Sequence, residues 1–227
     1  MILLTGSTGG IGSLIIDKLS KIGKVIAIYN STKPNSKIDN VMYVQVNINK
    51  ESQLNSFVHD HIKELSNITI VHLASIKVDG LALSYSKDDW DDTIQTNLTS
   101  NFLLTKKILP MMIEEKYGRI IHTSSKGAIS GDIGTISYSA TKSAITGMSN
   151  VLAKEYSRFN ITSNILMLGA FKTGMYTNLH EEKKKKILEL IPSKKLGSID
   201  NIVNAIEFLI KSDYVNGSVV NIDGASY

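Results

Sequence analysis

Cysteine is absent from this 227-residue chain, which excludes both a disulfide framework and a thiolate metal site. Proline occurs three times, and the only arginines are Arg119 and Arg158. No apolar run approaches the roughly 20 residues that span a bilayer. The N-terminus, MILLTGSTGG, has neither the basic start nor the long apolar stretch of a signal peptide. We therefore expect a cytoplasmic protein with no membrane partner.

The positive charge of the chain is carried almost entirely by lysine. The formal net charge is +4, but recognition of bases in nucleic acids relies mainly on arginine. The densest basic run, residues 183–186, lies within EEKKKKILEL, which is typical of a solvent-exposed helix face. We therefore expect no nucleic-acid partner.

Several common catalytic patterns are also missing. The histidines His59 and His61 are two residues apart, and no HExxH motif occurs, so we expect no metal. The absence of a GxSxG motif argues against an α/β-hydrolase.

Short β-branched runs alternate with longer segments in which apolar residues recur at three- and four-residue steps. This pattern predicts strands at residues 1–5, 25–29, 43–48, 68–74, 118–125, 161–168 and 219–223. It predicts helices at residues 10–22, 50–66, 98–117, 136–159 and 198–211, and a loop or single turn at residues 30–40. Such alternation indicates an α/β protein: a doubly wound parallel sheet with helices on both faces, in a single domain spanning residues 1–227.

Glycines cluster in TGSTGGIG, residues 5–12, between the first predicted strand and the first predicted helix. Gly6, Gly10 and Gly12 follow a GxxxGxG spacing. A backbone without Cβ atoms can approach a pyrophosphate closely, and a helix N-terminus presents unpaired N–H groups to it. No lysine follows as it does in a Walker A loop, so the segment favours a dinucleotide, with an ordinary glycine-rich turn as the alternative.

A second motif, YSATK, places Tyr138 and Lys142 one helical turn apart on the same face. One interpretation is a surface pair that arose by chance. The other is that the charge of the lysine lowers the pKa of the phenol, so that the tyrosine exchanges a proton near neutral pH.

These motifs resemble those of the short-chain dehydrogenase/reductase family. TGSTGGIG is similar to the family's TGxxxGIG loop, YSATK to its YxxxK motif, and LGAFKTGM, residues 168–175, to its PGFxxTxM segment. Ser125, thirteen residues before Tyr138, and Asn97 in QTNLTS match the active-site serine and asparagine. The resemblance covers essentially the whole chain, is closest to 3-oxoacyl-[acyl-carrier-protein] reductases, and implies a single-domain Rossmann fold that binds NAD(P).

The family resemblance implies hydride transfer between a nicotinamide and a carbonyl or alcohol. It implies that Tyr138 exchanges a proton with the substrate oxygen, and that Lys142 stabilises the phenolate and bonds the nicotinamide ribose. Ser125 would hold the substrate oxygen, and Asn97 would hold a water that links Lys142 to solvent. Two alternatives remain open: Ser124 could be the acting hydroxyl, and Asn97 could cap the helix that follows it.

The resemblance also implies which residues line the cofactor site. They are Gly6, Ser7, Thr8, Gly10, Ile11, Gly12, Asn30, Ser31, Thr32, Asn47, Ile48, Ala74, Ser75, Tyr138, Lys142, Gly169, Phe171 and Thr173. No carboxylate follows the second strand, where one would bond the ribose 2′-hydroxyl of NAD. Hydroxyls and the ammonium of Lys33 stand there instead and could hold a 2′-phosphate, so we expect NADP(H), with NAD(H) as the alternative. Thr173 and Lys33 also have plain interpretations, as a turn cap and a surface lysine.

The sequence departs from the family pattern in three places. HLAS, residues 72–75, replaces the usual NNAG, Asn47 stands in place of an aspartate that meets the adenine, and Leu168 replaces a proline. The catalytic set is unaffected, so the departures concern contacts to the cofactor.

The substrate is open at this point. A 3-oxoacyl thioester, a nucleotide-sugar and another small carbonyl compound all fit, and residues 170–195 would form the family's mobile lid. An extended-type epimerase would need a sizeable C-terminal domain, and a non-catalytic dinucleotide sensor usually loses the tyrosine or the lysine. The resemblance further implies a homotetramer or homodimer, with helices 98–117 and 136–159 packing between subunits.

Overall fold

The computed structural model describes residues 1–226, apart from the side chains at positions 174 and 175. In this part of the chain seven strands form one parallel sheet in the order β3-β2-β1-β4-β5-β6-β7. The strands are β1 Ile2–Thr5, β2 Val25–Tyr29, β3 Val41–Gln45, β4 Thr69–His72, β5 Gly118–Ser125, β6 Ile161–Leu168 and β7 Val219–Ile222. The predicted doubly wound α/β architecture is therefore confirmed.

Helices connect the strands. They are α1 Gly12–Ser20, α2 Glu51–His61, α3 Lys87–Ile94, α4 Ser100–Glu115, α5 Gly127–Ser130, α6 Ile136–Tyr156, α7 Gly174–Thr177, α8 Glu181–Leu190 and α9 Ile199–Lys211. Residues 30–40 form bends and turns, as predicted. Helix α8 contains the lysine run, and its Lys184 is paired with Glu181 at 2.8 Å.

Helix α2 ends at His61, five residues earlier than predicted, and two further differences from the sequence prediction have a clear local cause. Strand β3 begins two residues earlier than predicted and ends at Gln45, because Asn47 turns the chain: its side-chain oxygen accepts a hydrogen bond from the Asn49 amide at 3.0 Å. Helix α3 was not predicted, since its sequence KDDWDDTI has little apolar periodicity. It is specified instead by its cap, where the Ser86 hydroxyl accepts from the backbone N–H of Asp89 at 3.0 Å.

Both faces of the sheet are buried. Leu3 and Ile70 belong to a core that includes side chains of α2, α4 and α6, whereas Leu4 and Val71 belong to a second core with α1 and α9. This alternation follows the two-residue period of a strand. It explains why the inner strands read as continuous apolar runs, as expected for a parallel sheet covered on both sides.

The order of the strands reverses beside β1, whose neighbours are β2 and β4. In open parallel sheets a crevice forms at such a point, outside the carboxyl ends of the strands. The glycine loop follows the carboxyl end of β1, and Ser125 ends β5, so the fold brings the predicted motifs to one edge of the sheet.

Candidate active site

The loop after β1 is shaped by glycines that have no room for a side chain. Gly6 has a φ of +66°, and a Cβ there would lie 2.8 Å from the backbone of Ala74. A Cβ on Gly12 would lie 2.2 Å from the Gly6 carbonyl oxygen. The turn therefore lies flush against the segment after β4 and leads directly into the N-terminus of α1, the geometry that a pyrophosphate requires.

The other predicted residues of this loop differ in their exposure. Ser7 is 1% exposed, and its hydroxyl donates to the Ile28 carbonyl at 2.9 Å, so its side chain holds the loop to β2. Gly10 is exposed, and Thr8 and Ile11 are half-buried. The surface available to a ligand is therefore formed by Gly10 and its neighbours, with the Ser7 hydroxyl already bonded.

The segment after β2 lies open to solvent beside this loop. Asn30, Ser31, Thr32 and Lys33 are all exposed, and the Asn30 carbonyl is held by the Gln45 amide at 2.8 Å. No carboxylate occurs in these four residues, so nothing there repels a phosphate. The charge of this segment is compatible with a phosphorylated ribose.

Asn47 and Ile48 lie past the end of β3. The Asn47 backbone N–H donates to the side chain of Gln53 at 2.7 Å, while its side-chain oxygen closes the turn to Asn49. Ile48 is 8% exposed and packs into the core. The side-chain oxygen of Asn47 is thus already bonded, and its amide nitrogen is the part that remains for a ligand.

The departure HLAS leaves the backbone contacts after β4 in place. The backbone N–H groups of Leu73 and Ala74 both donate to the Thr5 hydroxyl at 3.1 Å, which ties this segment to β1. Ser75 follows, and its buried hydroxyl has no hydrogen-bond partner. A buried hydroxyl without a partner beside a tight glycine turn fits a site that a polar ligand completes.

Ser125 and Tyr138 are brought together by the end of β5 and the first turn of α6. The Ser125 side chain is hydrogen-bonded to the Tyr138 phenol. The side chain of the neighbouring Ser124 points to the opposite face of the sheet. Its hydroxyl donates to the Lys142 carbonyl at 2.9 Å. Ser125 is therefore the serine whose hydroxyl contacts the phenol, whereas the Ser124 hydroxyl is bonded to the backbone of α6.

Lys142 is buried beneath Tyr138. The lysine is 3% exposed, its Nζ donates to the Thr123 carbonyl at 3.0 Å, and it lies 5.6 Å from the centroid of the Tyr138 ring. Burial lowers the pKa of Lys142 to about 8. Part of the population can therefore change its charge near neutral pH.

The expected effect of Lys142 on the tyrosine is wrong for this structure. Burial raises the pKa of Tyr138, and only the hydrogen bond to Ser125 opposes that shift. The reason is geometric: the ammonium bonds the Thr123 carbonyl and lies over the ring, so it is not bonded to the phenol oxygen. The proton of Tyr138 is thus held firmly until something else stabilises the phenolate.

Asn97 lies in a π-helical turn, Gln95–Thr99, that joins α3 to α4, so it does not cap a helix. Its side-chain oxygen accepts from the Ile76 N–H at 2.8 Å, and its amide donates to the Ile76 carbonyl at 2.9 Å and to the Thr141 hydroxyl at 3.3 Å. Asn97 therefore connects the loop after β4 to the helix that carries Tyr138 and Lys142. π-helical turns of this kind often occur at functional sites.

The predicted residues after β6 border the same edge. A Cβ on Gly169 would lie 2.6 Å from the Cα of Asp223, so this close approach requires glycine. Phe171 is 4% exposed and pairs with Gly197 in an isolated parallel bridge. The Thr173 carbonyl accepts from the N–H groups of Tyr176 and Thr177, so Thr173 caps the start of the turn that forms α7. Met175 of the same motif lies outside the described side chains.

Two features were missed at the sequence level. Tyr85 donates to the Val78 carbonyl at 3.0 Å and is hydrogen-bonded to the Ser137 hydroxyl at 2.7 Å, directly before Tyr138. His72 and His122 form a buried stacked pair. No local spacing connects either pair, because their members lie about fifty residues apart in the chain.

Within residues 1–226 as described, no group of three or more histidine, aspartate or glutamate side chains is arranged to hold a metal ion. None of the helices in the described part of the chain combines the length and the apolar character that a bilayer span needs.

Comparison with known proteins gives consistent matches over the whole chain. The family model for short chain dehydrogenases matches residues 1–184. The 3-oxoacyl-[acyl-carrier-protein] reductase FabG of Aquifex aeolicus is 33% identical, with 99% of this chain and 96% of the relative covered. FabG of Haemophilus influenzae is also 33% identical, with coverages of 99% and 97%.

Solved structures agree on the fold. A putative gluconate dehydrogenase from Agrobacterium tumefaciens superposes with a TM-score of 0.90 at 25% identity, covering 100% of this chain and 95% of that one. ElxO with NADP bound superposes with a TM-score of 0.91 at 24% identity, with coverages of 99% and 97%.

Proposed function

The chain belongs to the short-chain dehydrogenase family and is an NAD(P)-dependent oxidoreductase, and on that premise we propose that it is an NADP(H)-dependent carbonyl reductase. The observation that carries this proposal is the meeting of three side chains at the carboxyl edge of the sheet: Ser125, Tyr138 and Lys142. The glycine turn and the unbonded Ser75 hydroxyl lie at the same edge.

Bound NADPH would supply a hydride to the carbonyl carbon. Tyr138 donates its proton to the carbonyl oxygen as that oxygen gains negative charge, and Ser125 holds the oxygen beside the phenol. When a phenolate forms during the reaction, the positive charge of Lys142, 5.6 Å from the centroid of the ring, stabilises it. Asn97 orders the loop at Ile76 and, as in the family, would hold a water that links Lys142 to solvent.

The preference for NADP(H) rests on the exposed segment after β2. Asn30, Ser31 and Thr32 would hold the 2′-phosphate, with Lys33 adding a positive charge beside it. ElxO, which shares the fold, binds NADP. NADPH should therefore bind more tightly than NADH, and equal dissociation constants in a fluorescence titration would contradict this assignment.

A 3-oxoacyl thioester is the substrate class that the relatives favour, because both FabG proteins act as 3-oxoacyl reductases by name. Exposed apolar side chains beside the catalytic residues support it: Leu81 and Leu83 precede α3, and Ile133 precedes α6. The two segments meet in a bridge between Gly80 and Thr135. An oxidised sugar acid is the second candidate, since the Agrobacterium neighbour is a putative gluconate dehydrogenase.

Tyr138→Phe tests the catalytic assignment. This variant removes only the proton donor, so we expect kcat to fall by orders of magnitude while the dissociation constant of NADPH stays nearly unchanged. Loss of absorbance at the nicotinamide band, with short 3-oxoacyl thioesters and keto sugar acids as substrates, measures turnover. Retention of near-wild-type turnover in the variant would refute the assignment, and turnover by wild type of keto sugar acids alone would favour the second candidate.

We further propose a cytoplasmic homotetramer or homodimer with α4 and α6 packed between subunits. Phe102 on α4 is 48% exposed and Val151 on α6 is 52% exposed, which is unusual for large apolar side chains on long helices. Light scattering of the purified protein measures the mass of the assembly, and a monomer would contradict the proposal.

A further inference from the structure

Two histidines lie side by side in the interior, near enough to Lys142 for its charge to lower the pKa of each. His72 on β4 and His122 on β5 are register partners, so their side chains project from the same face of the sheet. Their rings are stacked, with centroids 5.0 Å apart and planes at 5°. Exposure is 1% for His72 and 0% for His122, so both imidazoles are enclosed between the sheet and the helices.

This pair carries more polar atoms than its protein neighbours satisfy. His72 Nε2 is hydrogen-bonded to the Thr105 hydroxyl at 2.8 Å. Both ring nitrogens of His122 are buried without a partner, whereas the Asn101 side chain interacts with His72 and opposes the lowering of its pKa. The Asn101 amide nitrogen donates to the Asn97 carbonyl at 3.0 Å, so Asn101 links the histidines to the active-site turn.

A buried polar atom without a partner destabilises the folded protein, and native proteins avoid this by placing internal water beside such atoms. A buried water needs two to four polar partners, which are rarely so close together in a hydrophobic core. The unpaired nitrogens of His122, with the polar ring of His72 stacked beside them, provide such partners.

The histidines are coupled to Lys142 through the strands. Lys142 Nζ donates to the carbonyl of Thr123, and the Thr123 hydroxyl donates to the carbonyl of His72 at 2.8 Å. The positive charge of Lys142 acts on both imidazoles and, after burial, contributes to the lowered pKa of each. Both rings are therefore neutral at neutral pH, and they can accept hydrogen bonds without adding a second positive charge.

The surroundings of Lys142 contain no opposing charge in the described part of the chain. The titratable groups that face it are Tyr138 from α6, His72 from β4 and His122 from β5. The side chains that α4 and the π-helical turn contribute to this layer, Asn97, Asn101 and Thr105, are neutral. Stabilisation of the ammonium must therefore come from neutral dipoles.

We propose that His72, His122 and Asn101 form an internal water-binding site near Lys142, and that this site stabilises the charged form of the lysine. The two histidines are positioning residues in the proposed reduction, because they act on Tyr138 only through Lys142. The role in catalysis rests on the proposed function, whereas the effect on the charge of Lys142 does not.

A direct test follows the charge of Lys142 by NMR, using the pH dependence of its side-chain carbon resonance in the protein without cofactor. His122→Phe keeps a planar ring but removes both nitrogens. We expect it to lower the pKa of Lys142 by about one unit, a tenfold weaker affinity for the proton, because the ammonium then faces an apolar layer. His122→Gln retains a polar group and should restore a value close to wild type.

Ile165→Val is the matched control. Ile165 is the register partner of His122 on β6 and is 1% exposed, so the variant disturbs packing at the neighbouring position without changing polarity. It should leave the pKa of Lys142 unchanged. If His122→Phe does not fold, Asn101→Leu removes the polar oxygen from the α4 side and should move the pKa of Lys142 in the same direction.

The outcomes separate the two proposals. An unchanged Lys142 pKa in His122→Phe, or in Asn101→Leu, overturns the inference, as would an equal shift in Ile165→Val. The absence of ordered water beside the His122 nitrogens in a high-resolution crystal structure would also overturn it. A shift of the pKa in a protein that reduces no carbonyl compound supports the inference and rejects the proposed function. In an active protein, the high-pH limb of kcat should move to lower pH with the lysine.

Discussion

At the scale of single residues, two adjacent serines have separate tasks. Successive side chains of a strand point to opposite faces, so Ser125 meets the Tyr138 phenol while Ser124 bonds the backbone of α6. The thirteen-residue spacing from Ser125 to Tyr138 predicts this choice from the sequence, and the structure places Ser125 there. The raised pKa of Tyr138 was not predictable, because burial of a side chain depends on the whole fold.

Ser125→Ala should lower kcat by about 100- to 1,000-fold, since it removes a hydrogen bond to the substrate oxygen that strengthens in the transition state. The matched variant Ser124→Ala loses the hydrogen bond to the Lys142 carbonyl, at a cost of about 1 kcal/mol of stability. Steady-state kinetics and urea unfolding of both variants measure the two effects. Similar losses of kcat would show that the serines do not differ in role.

At the scale of elements, apolar periodicity predicted those strands and helices whose faces are buried. The bounds of β2, β5 and β6 were predicted from the β-branched runs at residues 25–29, 118–125 and 161–168. Helix α3 and the π-helical turn were missed, because side-chain contacts specify them: a serine cap in one case and the bonds of Asn97 to Ile76 in the other. Such contacts have no periodic signal.

The loop from Ile76 to Tyr85 is fixed at several points to the segment before α6. Tyr85 bonds Ser137, and the Gly80 N–H donates to the Gly134 carbonyl at 2.9 Å. Asn97 holds the other end of the loop at Ile76. The position of Tyr138 therefore depends on contacts made by a loop that carries exposed apolar side chains.

Tyr85→Phe should loosen this loop. The variant removes the hydroxyl that bonds Val78 and Ser137, and leaves the buried Ser137 hydroxyl without that partner. We expect a loss of about 1–2 kcal/mol in unfolding free energy, faster amide hydrogen exchange in residues 77–84, and a higher KM with a smaller change in kcat.

The control for this experiment is Tyr214→Phe, which removes a hydroxyl from a side chain that is 100% exposed. It should change none of these quantities. Unchanged hydrogen exchange in the Tyr85 variant would mean that the loop is held by its backbone contacts alone.

At the scale of the whole molecule, the alternation of strand and helix was sufficient to predict the architecture. The carboxyl edge of the sheet, where the predicted motifs meet, follows from that architecture. The histidine pair could not be predicted, because His72 and His122 become neighbours only when β4 lies beside β5. The same applies to the burial of Lys142, which depends on α6 lying against the sheet.

Acid should destabilise the folded protein, because the folded state keeps both histidines neutral. Burial, and then the charge of Lys142, lowers the pKa of His122 to about 3, and the pKa of His72 is also well below its ordinary value. The unfolded chain takes up protons on these groups near pH 6.5. The contribution of the neutral histidines to stability is therefore fully present above pH 6.5. It is lost as the pH falls towards the pKa values of the two histidines in the folded protein.

His122 should contribute a slope of about 1.4 kcal/mol per pH unit to the unfolding free energy between about pH 6 and pH 4, and His72 should add a slope of the same sign. Urea unfolding at a series of pH values measures the slope. His122→Phe should remove the contribution of His122 to the slope of the unfolding free energy against pH, whereas Ile165→Val should leave the slope unchanged. An identical slope in wild type and His122→Phe would show that His122 is protonated in the folded state.

The bridge between Phe171 and Gly197 affects how freely the segment between these two residues can vary in length. It closes the base of the segment that contains α7 and α8, and the Gly197 N–H donates to the Ala170 carbonyl at 2.9 Å. The two ends are thus joined independently of what lies between them, and the entropy cost of a longer connection rises only slowly with its length. A longer connection between these two residues should therefore cost little free energy of folding and leave Ser125, Tyr138 and Lys142, which lie outside it, in place.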